Sequence, residues 1–370
     1  MKFSINKTEL QRALAIVEKG VSTRSTLPVL SGILIDATQD EIVLQSTDLE
    51  LSIQTSVAAL VQEAGRAVVP GKLFSDIVKS LPEAAVHVEA APGEAKITCD
   101  TSAFSVKTLA AEDFPGFPKA EAHQTIRLPF GTFSRMVKRV ARAVSRDESR
   151  AILTGIMIET EGARLNMVST DSYRLALTSC DIDSENYNGT EDFRAVIAGS
   201  FMNDVAALSA NVDEISLGVA DNQIIINVGE TTFINRRIEG TYPNYRQLLP
   251  DGYTTRATFP VEGLAAAIHR AALISSSAAP IRFSLSPVVN LAQITVSAAD
   301  VGSVQESIDC PIEGEETEIA FNSAYISDGL SVIKDDEVYF DTTSPLKPGI
   351  FRSVGDGADE YLYLIMPVRI

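Results

Sequence analysis

The Thr-Asp pairs Thr47-Asp48 and Thr170-Asp171 are the residues of this 370-residue chain that most readily suggest chemistry. Carboxylates brought together can hold magnesium or share acid and base roles. A magnesium-dependent nucleic-acid enzyme would need the two pairs to converge. Each pair, however, closes an alternating apolar run, where Thr and Asp side chains commonly bond to nearby backbone and set a turn. The remaining reactive groups are scattered. His87, His123 and His269 stand alone and read as structural, and Cys99, Cys180 and Cys310 lack CxxC spacing and read as buried apolar fillers. The segment GRAVVPGKL from Gly65 imitates a phosphate loop, but Leu73 occupies the place of the magnesium-binding hydroxyl. The run EGEETE from Glu313 lacks the ligand spacing and turn glycine of a calcium loop and reads as solvated. No catalytic residue, metal or cofactor is expected.

Positive charge, by contrast, is segregated. Arg135, Lys138, Arg139, Arg142 and Arg146 fall on one face of the helix expected from Leu128 onward, with Met136, Val137 and Val140 mostly on the other. The chain as a whole carries 49 acidic and 31 basic residues, a net charge of −18, which argues against holding nucleic acid by overall attraction. A local basic stripe can still face phosphates without reading bases. Arg24 and Lys72 add to it from the first third of the chain.

The elements that must position these residues repeat. Residues 31–53 match residues 154–177 in apolar alternation and in the triplets Ser46-Thr47-Asp48 and Ser169-Thr170-Asp171, displaced by 123 positions. A weaker third copy begins at Ile281, with Asp300 in the place of Asp171 and the triplet decayed. Helical spacing precedes each copy, from Ile5, Leu128 and Phe259, and a second short helix comes after it at Pro70, Ala198 and Phe321. The order helix, strands, helix, strands thus recurs three times. Copies one and two end in the Pro-aromatic segments DFPGFP and TYPNYRQLLP, giving expected domains 1–120, 121–251 and 252–370. Short alternating strands predict antiparallel sheets, hence an α+β class. With 45% hydrophobic and 22% charged residues, and no apolar run long enough to span a bilayer, the chain reads as globular and cytoplasmic, with no membrane partner.

In their order along the chain, TLPVLSGILI from Thr26, STDLEL from Ser46, DFPGFP from Asp113, TDSYRLA from Thr170, YPNYRQLLP from Tyr242 and the ending YLYLIMPVRI resemble the bacterial DNA polymerase III beta subunit family, the beta sliding clamps. The resemblance spans the whole chain. It implies a non-enzymatic processivity factor: three clamp domains per chain, two chains closed head to tail into a ring, and duplex DNA encircled without regard to sequence. It implies localisation in the cytoplasm, at replication forks on the nucleoid. It also implies docking of short motifs from the replicative polymerase alpha subunit, the clamp loader, translesion polymerases and mismatch-repair proteins.

Carried over residue by residue, the docking pocket would comprise Leu153, Thr170, Arg174, Leu175, Pro243, Leu248, Leu364, Met366 and Pro367. The dimer surfaces would be Phe104, Val106 and Leu109 on one side and Leu273 and Ile274 on the other. The chain departs from the common pattern at Ser172-Tyr173, where Gly-His is usual, and at Gln247, where a basic residue is frequent. Ala278-Ala279 lacks an aromatic that some members have, and Gly199-Ser200 lacks a positive charge often found there.

Overall fold

A computed structural model describes residues 1–22, 25–189, 192–208, 212–276, 279–354 and 360–369. Arg24 and Ala278 lie outside the described residues. The chain divides into two compact units, one of residues 1–130, 186–189 and 208–237, the other of residues 131–185, 190–207 and 238–370.

In the first unit, α1 (Lys7–Val17) and α2 (Gly71–Ser80) accompany two antiparallel sheets. Asn6 starts α1 by accepting a hydrogen bond from the Thr8 amide, filling one of the donors that a helix start leaves open. The five-stranded sheet runs in the order Leu60–Glu63, Lys2–Asn6, Ala85–Ala91, Glu94–Cys99, Ser102–Val106. The nine-stranded sheet runs Tyr187–Asn188, Gln124–Pro129, Glu214–Val219, Gln223–Val228, Thr231–Arg236, Leu51–Ala58, Glu41–Thr47, Gly32–Ala37, Gly65–Pro70. Strands of the first and second repeats are therefore joined edge to edge, with Phe233 opposite Ile53.

The second unit repeats this construction. Its helices are α3 (Phe130–Ala141, from Gly131 onward), α4 (Gly199–Ala206), α5 (Val261–Ala272) and α6 (Ser323–Leu330). Its nine-stranded sheet runs Arg194–Ala198, Gly155–Glu161, Arg164–Thr170, Arg174–Asp181, Glu360–Ile365, Gly349–Ser353, Glu337–Thr342, Thr255–Pro260, Ile312–Gly314. Here Leu362 of the third repeat lies opposite Leu177 of the second. A four-stranded sheet completes the unit: Gly302–Asp309, Leu291–Ala298, Ile281–Ser286, Thr317–Phe321.

Repetition extends to single hydrogen bonds. The amides of Leu109, Ile238 and Val368 donate to the carbonyls of Val68, Val196 and Ala320, the same closure made once per repeat. The Ser46 hydroxyl donates to the Val17 carbonyl at the end of α1, and the Ser169 hydroxyl to the Val140 carbonyl near the end of α3. The first member of the repeated triplet thus fills a carbonyl that a helix end leaves open.

The expected basic helix is shorter than its spacing suggests. α3 ends at Ala141, so Arg142 and Arg146 lie beyond it in a connecting segment. Arg139 is a correction to the stripe: it is only 7% exposed, bonds Thr178 through Nη1 and lies 5.5 Å from the centre of the Tyr361 ring. The flank of the helix that carries it is covered by sheet, and an interior cation of this kind cannot meet phosphate.

Candidate docking site and basic surface

Thr170 and Asp171 build a turn. Thr170 Oγ1 accepts from the Ser172 amide at 3.1 Å, and Asp171 Oδ1 accepts from the amides of Tyr173 and Arg174 at 2.9 and 3.0 Å. In the first unit Thr47 and Asp48 bond the amides of Leu49, Glu50 and Leu51 in the same pattern. Both turns place a non-glycine residue in the left-handed region, Leu49 at φ 79° and Ser172 at φ 80°, where only a well-bonded turn tolerates an L side chain. The two aspartates belong to different units and are spent on local backbone, so the two-carboxylate enzyme reading loses its basis. Among the described residues no cluster of three or more His, Cys, Asp or Glu could hold a metal ion. The three cysteines are buried.

Beyond the turn, the two copies diverge. Arg174 Nε donates to Asp171 Oδ2 at 3.0 Å, and its Nη1 donates to Asp328 Oδ2 of α6 at 2.5 Å and to the Tyr363 hydroxyl at 3.1 Å. The Tyr325 ring lies 4.5 Å from the guanidinium. Burial works against the cation, but the surrounding oxygens of Tyr363, Asp328 and Asp171 outweigh it and raise the arginine's pKa. Arg174 therefore bolts the start of its strand to α6 and to the adjacent strand Glu360–Ile365 at the middle of the sheet. Sequence alone does not mark Asp328 or Tyr325, although both fall three residues apart on one helix.

Around this bolt lies an apolar floor and an exposed rim. Leu153, Thr170, Leu175 and Leu364 are buried, and Leu175 and Leu364 share one core cluster with Tyr242 and Tyr245. Of the expected pocket residues, these four sit in the floor beneath the surface and not at the rim. Tyr173 at 61% exposure, Leu248 at 46% and Met366 at 39% are the exposed apolar residues among the expected pocket set and its neighbours, together with exposed Pro243 and half-buried Pro367. The Met366 amide donates to the Tyr173 carbonyl at 2.8 Å, which ties the C-terminal segment to the turn.

The corresponding joint in the first unit shows what makes this rim apolar. There the Arg236 amide donates to the Glu50 carbonyl at 3.1 Å, so Arg236 stands where Met366 stands and Glu50 where Tyr173 stands. Those two side chains form an ion pair at 3.4 Å. Thr47 then faces Ser52 across the strands, hydroxyl to hydroxyl, where Thr170 faces Leu175. One joint is polar and closed by charge, and the other is apolar with a methionine and a tyrosine exposed.

Among the basic residues, Arg135 and Lys138 are exposed on α3, Arg142 and Arg146 are exposed beyond it, and Lys72 is exposed in the first turn of α2. Arg142 has a carboxylate at hand, Asp328 at 3.9 Å. Of the expected dimer surfaces, Phe104 and Leu273 are exposed and Ile274 is half-buried. Val106 is buried, and Leu109 packs on the cluster of Val29, Leu30, Leu34, Val68 and Phe114. Val106 is a correction to the expected dimer surface, since it already serves the chain's own interior, whereas Leu109 is half-buried like Ile274.

Three family models match in succession: the DNA polymerase III beta subunit N-terminal domain over residues 1–118, the central domain over 127–244 and the C-terminal domain over 246–369. The chain belongs to the DNA polymerase III beta subunit family. It is 33% identical over 395 aligned residues to the beta sliding clamp of Synechocystis, with all of both chains covered. It is 31% identical to that of Staphylococcus aureus, covering all of this chain and 99% of the other. Among solved structures, the sliding clamp of Bacillus subtilis superposes with a TM-score of 0.93 at 28% identity, covering 100% and 99% of the two chains. The Pseudomonas aeruginosa clamp bound to griselimycin superposes with a TM-score of 0.93 at 26% identity over the whole of both. As a beta sliding clamp the chain is a DNA polymerase processivity factor and not an enzyme.

Proposed function

We propose that two copies of this clamp, each of three domains at 1–120, 121–251 and 252–370, close head to tail around duplex DNA and tether replication proteins through the rim of Tyr173, Leu248 and Met366. One observation carries the closure. The strand Thr231–Arg236 of the second repeat pairs with Leu51–Ala58 of the first, and Glu360–Ile365 of the third pairs with Arg174–Asp181 of the second. The same joint is made twice within a chain and leaves one edge of each kind over: Ser102–Val106 in the first repeat and Gly302–Asp309 in the third. An unpaired edge is a template for another strand, and a head-to-tail joint of this kind closes when a second copy brings the complementary edge. Exposed Phe104 and Leu273, with Ile274, are the apolar residues beside that joint.

Closure then accounts for retention on DNA. Arg135, Lys138, Arg142, Arg146 and Lys72 supply a modest set of phosphate contacts, weak enough to permit sliding, while the net charge of −18 limits adhesion elsewhere. Arg24 stays with this set on sequence grounds alone. The partners are the replicative polymerase alpha subunit, the clamp loader, translesion polymerases and mismatch-repair proteins, each presenting a short apolar motif, and the site of action is the cytoplasm, at forks on the nucleoid. Methionine and leucine around a fixed core suit such varied guests.

Sedimentation should give a dimer. The dimer, loaded on nicked circular DNA, should be retained, and a single linearising cut should release it. Equal retention on circular and linear DNA would end the topological reading.

A further inference from the structure

Glu159 lies in the strand Gly155–Glu161 with only 4% of its surface exposed, yet it is a carboxylate. Three hydrogen bonds and a further ion-pair contact converge on it. Its Oε1 accepts from the Tyr245 hydroxyl at 2.5 Å and from Arg246 Nη2 at 2.6 Å, its Oε2 accepts from Arg194 Nε at 2.8 Å, and Arg194 Nη2 lies 2.6 Å from the same oxygen as an ion pair. A buried charge persists only when its lone pairs are filled in this way. Arg194 comes from the neighbouring strand of the same sheet, so its pair with Glu159 is local. Tyr245 and Arg246 do not: they open the short 3-10 turn Tyr245–Leu248 in the segment that leads into the third repeat.

That segment has little regular structure of its own. Tyr242 and Tyr245 anchor it in the core, Arg246 reaches Glu161 at 3.1 Å and covers the Tyr245 ring at 4.9 Å, and Leu249 packs from the edge of the same cluster. Its outward side carries Pro243 and Leu248, two residues of the proposed rim. We propose that Glu159 is a positioning residue for the docking groove: it latches residues 242–249 onto the sheet so that Pro243 and Leu248 form a fixed wall for an incoming apolar motif. Glu159 itself touches no guest. The latch presupposes that the rim of Tyr173, Leu248 and Met366 is the docking groove. It acts by preorganisation: a wall already ordered costs a guest nothing to order.

The test uses the full-length dimer and griselimycin, the compound bound to the related Pseudomonas clamp. Amide exchange of residues 242–249 and griselimycin affinity are measured for Glu159→Gln, Glu159→Asp, Tyr245→Phe, Leu248→Ala and Met366→Ala. Glu159→Gln should speed exchange in 242–249 by about tenfold, the scale of losing one charged hydrogen bond, leave α6 protected, and weaken griselimycin by about fivefold. Glu159→Asp, which keeps the charge, should fall between wild type and Glu159→Gln. Tyr245→Phe removes one hydroxyl and should act in the same direction even if Glu159→Gln folds poorly. Unchanged exchange in both variants overturns the latch, and faster exchange with unchanged affinity overturns its role in the groove. If neither Leu248→Ala nor Met366→Ala weakens griselimycin while exchange still rises in Glu159→Gln, the groove assignment is what falls.

Discussion

Ser172 is held in a left-handed conformation by a turn bonded through Thr170 Oγ1 and Asp171 Oδ1, and its hydroxyl takes a further bond from Arg150 Nη1 at 3.0 Å. An L side chain in that region costs about 1–2 kcal/mol, whereas an exposed hydrogen bond returns less. Ser172→Gly should therefore raise the unfolding midpoint in urea, by about 1 kcal/mol of stability, and Ser172→Val should lower it. Glu159 gives a pH-dependent counterpart. Burial pushes its pKa up, but the bonds from Tyr245 and Arg194 prevail and hold it below the ordinary carboxylate value. A depressed folded-state pKa contributes stability that is complete above the unfolded value near about 4.3 and is lost as pH falls through the folded value. Melting temperatures measured between about pH 6 and about pH 3 should fall less steeply for Glu159→Gln than for the parent, since the variant has no such proton to take up.

At the level of elements, the two interrepeat joints make opposite choices from one backbone pattern. Replacing Tyr173 with Glu and Met366 with Arg would rebuild on the second joint the Glu50–Arg236 pair of the first. Both positions are exposed, so the fold should survive with its melting temperature within a few degrees. Griselimycin capture should nevertheless drop by at least about tenfold in a fluorescence titration, because the guest would have to displace an ion pair from what had been an apolar rim. This contrast explains what is legible in the sequence. The Ser-Thr-Asp triplets mark both joints because their hydroxyls and carboxylates fix local backbone, which sequence spacing encodes directly. Leu175 and Leu364 cannot be told from rim residues, because alternation states which face a residue takes but not whether another layer covers it. Arg139 escapes the sequence for the same reason: helical spacing puts it on the basic flank, and only the packing of Tyr361 takes it inside. The decayed triplet of the third copy has a local cause as well, since Gly302, at φ +137°, lets a shorter connection turn between Ala298 and Gly302 without the Thr-Asp bonds.

For the molecule as a whole, the decisive feature is that two edges equivalent to those joined within the chain have no counterpart in it. Within the chain the repeats are joined by two strand pairings, and the Ser102–Val106 and Gly302–Asp309 edges remain. A lone chain would expose both, together with Phe104 and Leu273, a hazard that natural sheets normally avoid by charge or cover. Association in a closed pair joins each Ser102–Val106 edge to a Gly302–Asp309 edge and so covers the hazard at both seams. Phe104→Asp places a carboxylate in the joint, and the same change at Leu273 attacks it from the other side. Either variant should shift sedimentation towards the monomer by lowering pair affinity by well over about a hundredfold, since each of the two joints takes a desolvated charge costing about 3 kcal/mol. Mixing the two variants cannot restore a full ring, because head-to-tail closure uses both surfaces of both chains. Each mixed pair would keep one intact joint and one broken one, and should bind circular DNA no more durably than linear DNA. Durable retention by the mixture on circles would mean that one joint suffices, and that enclosure is not what holds this clamp on DNA.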